Sequence, residues 1–393
     1  MKLYKADPGA QRRQAGFMTG RQAAAVITMV LALAVHGRNC FAAMTDYITE
    51  AEFNSYFPRH SKIFNFNDFS AAVTTYYPAF AATGTSQQQE QELAAFLANA
   101  AQETDGSGPN RFDAGLYYDT ENCPAPCQQF SQPGYGFDGN LWTGAPGQSY
   151  QGRGALQLTY AYNYGPANDQ LQQLDPTFPN IFDNPAAVTA TPAVSAQNMA
   201  WVTALWFWFT AQSPKPSCHS VMTGGWTPTD QDISLGRAPG YGMTEVIING
   251  GVQCDVYDIT EASTEGDSRL SFTINRPNNT LLRGALLYLQ NANNAGYDGA
   301  YQVITGSQGA DEFQVVADAV VVDPATNAVS PRSIKGLPAL TAGEIGGYFG
   351  YLTRLRRIAW YNLLTGANYL NVPPGPAVDC STMVPYIPYL PAS

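Results

Sequence analysis

Ser86-Gln87-Gln88-Gln89-Glu90-Gln91-Glu92-Leu93-Ala94-Ala95-Phe96-Leu97-Ala98-Asn99-Ala100-Ala101-Gln102-Glu103 is the stretch on which the reading of the fold turns. Leu93, Phe96, Leu97, Ala100 and Ala101 follow the i, i+3, i+4, i+7 spacing of one buried helix face. Ser86 is placed to cap this helix, with Gln89 three residues on as its capping-box partner. Asp105-Gly106-Ser107-Gly108-Pro109 is a stop signal. Glu103 therefore falls in the last turn of a buried helix, an unusual place for a carboxylate. Burial and the partial negative charge of a helix C-terminus both disfavour a second negative charge there. A carboxyl kept neutral in this way suits a general acid. The competing readings are a solvated Glu at a frayed end and an ion pair with an arginine.

Outward from this helix, residues 48–82 alternate aromatics with short helical patterns, as in Phe64-Asn65-Phe66-Asn67-Asp68-Phe69. Residues 106–150 are rich in Gly, Pro, Tyr and Asn and read as loop, and a second short helix is expected after Leu158. Residues 193–210, with Trp201, Trp206, Phe207 and Trp208, predict a helix apolar nearly all round and hence central. Residues 214–241 read as loop again, followed by apolar Val246-Ile247-Ile248 and the turn Asn249-Gly250-Gly251. The character changes over 255–339. Leu270–Ile274 and Phe313–Val322 look like strands, and residues 281–289 are read as a helix. Residues 342–365 return to helical spacing with Arg354, Arg356 and Arg357. The organisation expected is a mainly α domain over 45–254 and 340–393, interrupted by an inserted strand-containing segment at 255–339.

The chain has 393 residues, only 13% of them charged, and a formal net charge of −11. The first 43 residues hold six of the Lys/Arg and one Asp, so the remainder is more acidic still. Such a surface repels phosphate backbones and argues against nucleic acid as a partner. Basic residues before the apolar run at 23–35, with Ala42 and Ala43 after it, predict a signal peptide over 1–43 and a secreted, or periplasmic, protein. An uncleaved anchor is the alternative. The run is shorter than the ~20 residues a bilayer requires, and no later stretch is long and apolar enough, so no membrane association is expected after signal removal.

Cys123-Pro-Ala-Pro-Cys127 could close a small loop, and Cys254 could reach Cys380, although spacing does not fix connectivity. Cys218 would then be free. Three histidines and no zinc-type Cys/His spacing leave no metal site or cofactor to expect. No Gly-x-Ser-x-Gly elbow supports a Ser-His-Asp hydrolase. Glu121, 18 residues after Glu103 in Tyr117-Tyr118-Asp119-Thr120-Glu121-Asn122, is a loop carboxylate able to take a proton from water, with Asp119 as its rival. Gln151-Gly152-Arg153-Gly154 leads into a helix; its glycines permit a tight path, and Arg153 could hold a carboxylate bidentately. The tyrosines and tryptophans, Trp142 among them, would suit stacking on sugars, yet most must be core.

Taken together, these segments resemble glycoside hydrolase family 19, the plant-type chitinases. The resemblance rests on Phe66-Asn67-Asp68-Phe69, Ala94–Ala98 with Gln102-Glu103-Thr104, Tyr150–Thr159 running on to Tyr162-Asn163-Tyr164-Gly165, Ala204–Trp208, Lys215–His219, Gly240-Tyr241-Gly242 with Ile247–Gly251, and Arg357–Tyr361. It implies a lysozyme-like, two-lobed helical fold with a cleft, acting as a monomer that hydrolyses chitin or related N-acetylglucosamine polymers internally and with inversion. It gives Glu103 the role of general acid and Glu121 that of general base. Thr159 stands where the family usually has serine and would orient the attacking water. Gln157, Tyr162, Asn163 and Asn249 would hold the sugar, and Arg357 would sit beneath the acid. Cys254–Cys380 fits the family's C-terminal bridge. Gln102 replaces the usual histidine before the acid, Asp119 and Asn122 differ from the common pattern around the base, and one family cysteine near Gly115 is missing. A peptidoglycan hydrolase of the same fold and an inactive polysaccharide-binding protein are the alternative readings.

Overall fold

A computed structural model describes residues 43–106, 112–121, 128–190, 195–254, 256–274, 286–290, 296–297, 299–308, 313–322, 329–335, 337, 348–383 and 386. These fall within one unit, Ala42–Ser393. The expected signal peptide, residue 43 apart, and the Cys123/Cys127 pair lie outside the described residues.

The helices are α1 (Glu50–Tyr56), α2 (Phe66–Tyr76), α3 (Ser86–Glu103), α4 (Ala161–Leu174), α5 (Met199–Phe209), α6 (Cys218–Met222), α7 (Asp230–Ser234), α8 (Tyr241–Gln253) and α9 (Leu352–Thr365). Among the described residues none is long and apolar enough to cross a membrane. Helix α3 is the axis of the helical body, because its face from Leu93 to Ala101 is wholly buried. Its alanines let neighbouring helices approach closely, α9 above all. Helix α5 lies beside it as expected from its apolar circumference. Trp201 packs among Phe53, Phe64, Phe69 and Phe96, and Trp208 meets Phe96 edge-on at 5.4 Å. Glu92, a carboxylate buried in this core, accepts from Ala81 N (3.0 Å) and Trp208 Nε1 (2.9 Å) and lies 2.6 Å from His219 Nδ1. Three partners offset the desolvation that an unpaired charge would suffer.

Several local expectations shift. The cap of α3 is Thr85, not Ser86, in a capping box with Gln88. The loop expected over 214–241 contains α6 and α7, capped by the side chains of Ser217 and Thr229. Asn249 does not end a helix in a turn; it is a non-helical kink (φ −149°, ψ 26°) within α8.

Strands β1 (Gly134–Tyr135) and β2 (Leu141–Trp142) form a small hairpin. The remaining strands are β3 (Val256–Glu265), β4 (Arg269–Ile274), β5 (Leu286–Gln290), β6 (Gly299–Gln308), β7 (Phe313–Val322), β8 (Val329–Pro331) and β9 (Tyr348–Tyr351). They pair antiparallel in the order β4-β3-β9-β5-β6-β7-β8, and β4 also pairs with β7. The six strands from β4 to β7 therefore close into a ring, which covers edges that would otherwise stand unpaired. Leu270 and Phe272 on β4 and Ala317 and Ala319 on β7 alternate inward and are buried. The helix expected over 281–289 gives way to β5 in its described part. Leu287 and Leu289 sit between partners on β6 and β9, and that double pairing overrides the helical preference of leucine. The sheet extends past 339, because β9 is one of its members. It runs directly into α9, so the helix bearing Arg357 grows out of the ring.

Candidate active site

Helix α3 is terminated by Thr104, whose Oγ1 donates to Ala100 O at 2.6 Å and accepts from Leu116 N at 2.9 Å. The carbonyl of Thr104 accepts from Tyr117 N and Tyr118 N at 3.1 and 2.9 Å. The chain after the helix is thus returned to the helix end and sent on toward Glu121. Glu121 N donates to Gly152 O (2.8 Å), and Gly152 N donates to the Glu121 carboxylate (3.0 Å). A Cβ at 152 would come within 2.8 Å of Gln157 Oε1 and 3.2 Å of Thr159 Oγ1, so a larger residue there would displace these side chains. Gly154 adopts φ +78° and approaches Ala200 O. The Gly-Arg-Gly motif is therefore the backbone cradle of Glu121.

Glu103 and Glu121 line the same open cavity, of about 740 Å³. Gln157, Thr159, Tyr162, Asn163 and Asn249 line it too. Thr159 donates its hydroxyl to Gln157 O at 2.7 Å, Gln157 Nε2 donates to Gly154 O at 2.8 Å, and Asn163 Nδ2 donates to Thr159 O at 2.9 Å. These bonds fix one strip of polar side chains along a wall. Burial pushes the Tyr162 hydroxyl up to about 12, so it faces the cavity as a neutral donor and acceptor.

Arg357, fully buried, donates to Glu103 through Nη2 and to Asn99 Oδ1 through Nη1, the latter at 2.6 Å. Burial opposes its charge, but Glu103, Tyr241 and Glu245 together outweigh that, and the guanidinium is held above its ordinary range. Of the two competing pictures of Glu103, the ion pair is present, and Glu103 still lines the cavity with 16% of its side chain exposed. Gln102, half-buried beside it, has an Oε1 with no hydrogen-bond partner among the described residues.

Two expected positions are occupied otherwise. Among the described residues, Arg153 holds no carboxylate. Its Nη1 donates to Ser149 O (2.8 Å), Gln151 O (3.2 Å) and the Tyr164 hydroxyl (3.3 Å), because the tight glycine path leaves carbonyls facing inward. Trp142 lies off the cavity lining: its ring packs against Gly165 and Phe182, and its Nε1 donates to Asp138. Asp119, the rival of Glu121, accepts from the hydroxyls of Ser61 (3.2 Å) and Thr120 (3.1 Å) and is also absent from the lining.

Sequence reasoning missed Phe130, Tyr160, Phe207, Gln212, Lys215 and Tyr386 on the cavity wall. Lys215 stood inside a recognised motif without a role. It donates to Ile247 O at 3.2 Å, and burial holds its ammonium below the usual lysine range. No periodicity or spacing connects Tyr386 to the rest.

A helical body with two carboxylates on one polar, aromatic-edged cavity is the class of architecture the chain defines. Residues 40–275 match the glycoside hydrolase family 19 model, described as Chitinase class I, and the chain belongs to that family. It is 40% identical over 197 residues to an endochitinase of Persea americana, covering 49% of this chain and 54% of that one. It is 40% identical over 195 residues to an endochitinase of Carica papaya, with 49% of this chain and 72% of that protein covered. The chain spans about half the length of the first curated relatives it matches, 54% and 53% for the first two. Among solved structures it matches chitinase C from Streptomyces griseus HUT6037 at 28% identity and a TM-score of 0.40, over 53% of this chain and 68% of that one.

Proposed function

We propose that the cavity is the active site of a secreted, inverting endo-hydrolase of β-1,4-linked N-acetylglucosamine polymers, chitin in the first place. The observation that carries this reading is the placement of Glu103 and Glu121 on one cavity, reached from two different walls. Glu103 comes from α3 and is backed by α9; Glu121 comes from the loop cradled by Gly152. We read these walls as the two lobes of a cleft. Glu103 gives its proton to the glycosidic oxygen as the bond from C1 to that oxygen breaks. Glu121 takes a proton from water on the opposite face, and the water oxygen bonds to C1 with inversion. Thr159 keeps a hydroxyl oxygen on the cavity able to accept from that water, its proton already committed to Gln157 O. The strip of Gln157, Asn163 and Asn249 offers amide groups to the acetamido and hydroxyl groups of the sugar. The class I chitinase relatives support the same substrate.

Glu103→Gln is expected to lower kcat on N-acetylglucosamine hexamer by about 10³-fold, the middle of the range for general acid catalysis, while the protein still folds and binds sugar. Glu121→Gln should lose most activity. Proton NMR of fresh product should show the α-anomer. Undiminished turnover by Glu103→Gln, or a silent Glu121→Gln beside a dead Asp119→Asn, would overturn these assignments. Release of fragments from bacterial walls but not from chitin would redirect the substrate to peptidoglycan.

A further inference from the structure

Tyr160 sits where a tyrosine is sterically disfavoured. Its φ is +72° and its ψ 139°, a backbone region suited to glycine. The conformation is fixed from both sides: Tyr160 N donates to Tyr150 O at 2.8 Å, and its carbonyl accepts from Asn163 N and Tyr164 N at 3.0 and 3.1 Å. Nothing in the capping of α4 calls for the side chain, because this N-cap residue makes no side-chain cap bond. The ring is not core either, with 37% of the residue exposed. It lies on the cavity wall, stacked on Tyr162 at 5.0 Å and 12°, with Phe130 edge-on at 5.3 Å. Local stability would favour glycine here, yet an exposed aromatic is held at the cavity.

We infer that Tyr160, braced by Tyr162 and Phe130, forms a stacking platform that takes the apolar C–H face of one N-acetylglucosamine ring and so sets affinity for an extended chain. The inference rests on the sugar-polymer reading above. Aromatic rings combine a large apolar surface with a negative face that attracts C–H groups, and a pyranose ring presents such groups on one side. The bracing keeps the ring from needing to be ordered when sugar arrives.

The test measures hexamer binding by calorimetry in a Glu103→Gln background, where cleavage does not interfere. Adding Tyr160→Gly, which suits this φ and ψ, should weaken Kd about tenfold while Tm holds or rises. Adding Tyr160→Phe should leave Kd within twofold. A merely structural tyrosine would show the reverse, with Tm falling and Kd unmoved. A glycine variant that binds within twofold of the parent overturns the platform alone. A parent that binds no N-acetylglucosamine oligosaccharide removes the sugar reading and the platform with it.

Discussion

Arg357 stands between two carboxyl groups at different depths. Glu103 accepts its hydrogen bond at the cavity, whereas Glu245 on α8 is fully buried. One oxygen of Glu245, Oε1, has no hydrogen-bond partner among the described residues, and Oε2 lies 2.9 Å from Cys380 Sγ. Burial pushes the Glu245 carboxyl well above the usual range, and the pull of Arg357 does not reverse it. A group whose pKa is raised by folding contributes stability below its unfolded value, about 4.3, and loses it as pH climbs through the folded value. The isosteric Glu245→Gln removes that dependence. Tm measured from pH 4 to pH 8 should therefore fall in the parent relative to the variant as pH rises, with the two closest near pH 4. Parallel curves would mean that Glu245 does not titrate differently in the fold.

At the scale of elements, the end of α2 is tied to the end of α4 by one polar link. The Tyr76 hydroxyl donates to Asp175 Oδ2 at 2.6 Å, and Thr177 bonds the other carboxylate oxygen through N and Oγ1. The Thr177 hydroxyl, then Tyr76, hold Asp175 down to about 2, while burial, then Asp175, pushes Tyr76 up to about 12. The two shifts act at opposite ends of the pH scale. Asp175 contributes stability above about pH 4 that is lost as pH falls toward 2. Tyr76 contributes stability below about pH 10 that is lost as pH rises toward 12. Tyr76→Phe should lower Tm at neutral pH and flatten both limbs of a Tm-against-pH curve; an unchanged acid limb would leave Thr177 as the whole cause there. This link was not legible in the sequence, since residues 99 apart share no pattern. Helices α3 and α5 were legible, because a long apolar face specifies itself. Their ends were less so: Thr85-x-x-Gln88 and Ser86-x-x-Gln89 are both sound capping boxes, and only tertiary packing chooses between them. The cavity strip from Gln157 to Asn163 could be read because it is contiguous. Phe130 and Tyr386 could not, and Trp142, a plausible sugar platform by type, was claimed by the close approach that Gly165 permits.

Across the whole molecule, the Cys254–Cys380 bridge joins the end of α8 to the segment beyond α9 and encloses the entire strand ring. Its Cα atoms are 5.2 Å apart, and the two cysteines lie 126 positions apart in the sequence. On the chain-entropy account, closing a loop of that length restricts the unfolded chain enough to contribute about 5 kcal/mol. The choice of replacement decides what is measured, because Glu245 lies against the sulfurs. Paired Cys→Ala substitutions at 254 and 380 remove the crosslink and leave the carboxyl beside apolar methyl groups. Paired Cys→Ser substitutions remove the same crosslink but place hydroxyl donors within reach of Glu245, and a hydrogen bond gained there returns about 1 kcal/mol. In urea unfolding followed by near-ultraviolet circular dichroism, the Ala pair should lose about 5 kcal/mol and the Ser pair about 1 kcal/mol less. Equal losses would mean that the Glu245 carboxyl does not recruit the new hydroxyl. A loss under about 1 kcal/mol in both would mean that the reduced chain is already confined by the strand ring, whose closure through β4 and β7 then does the work assigned to the bridge.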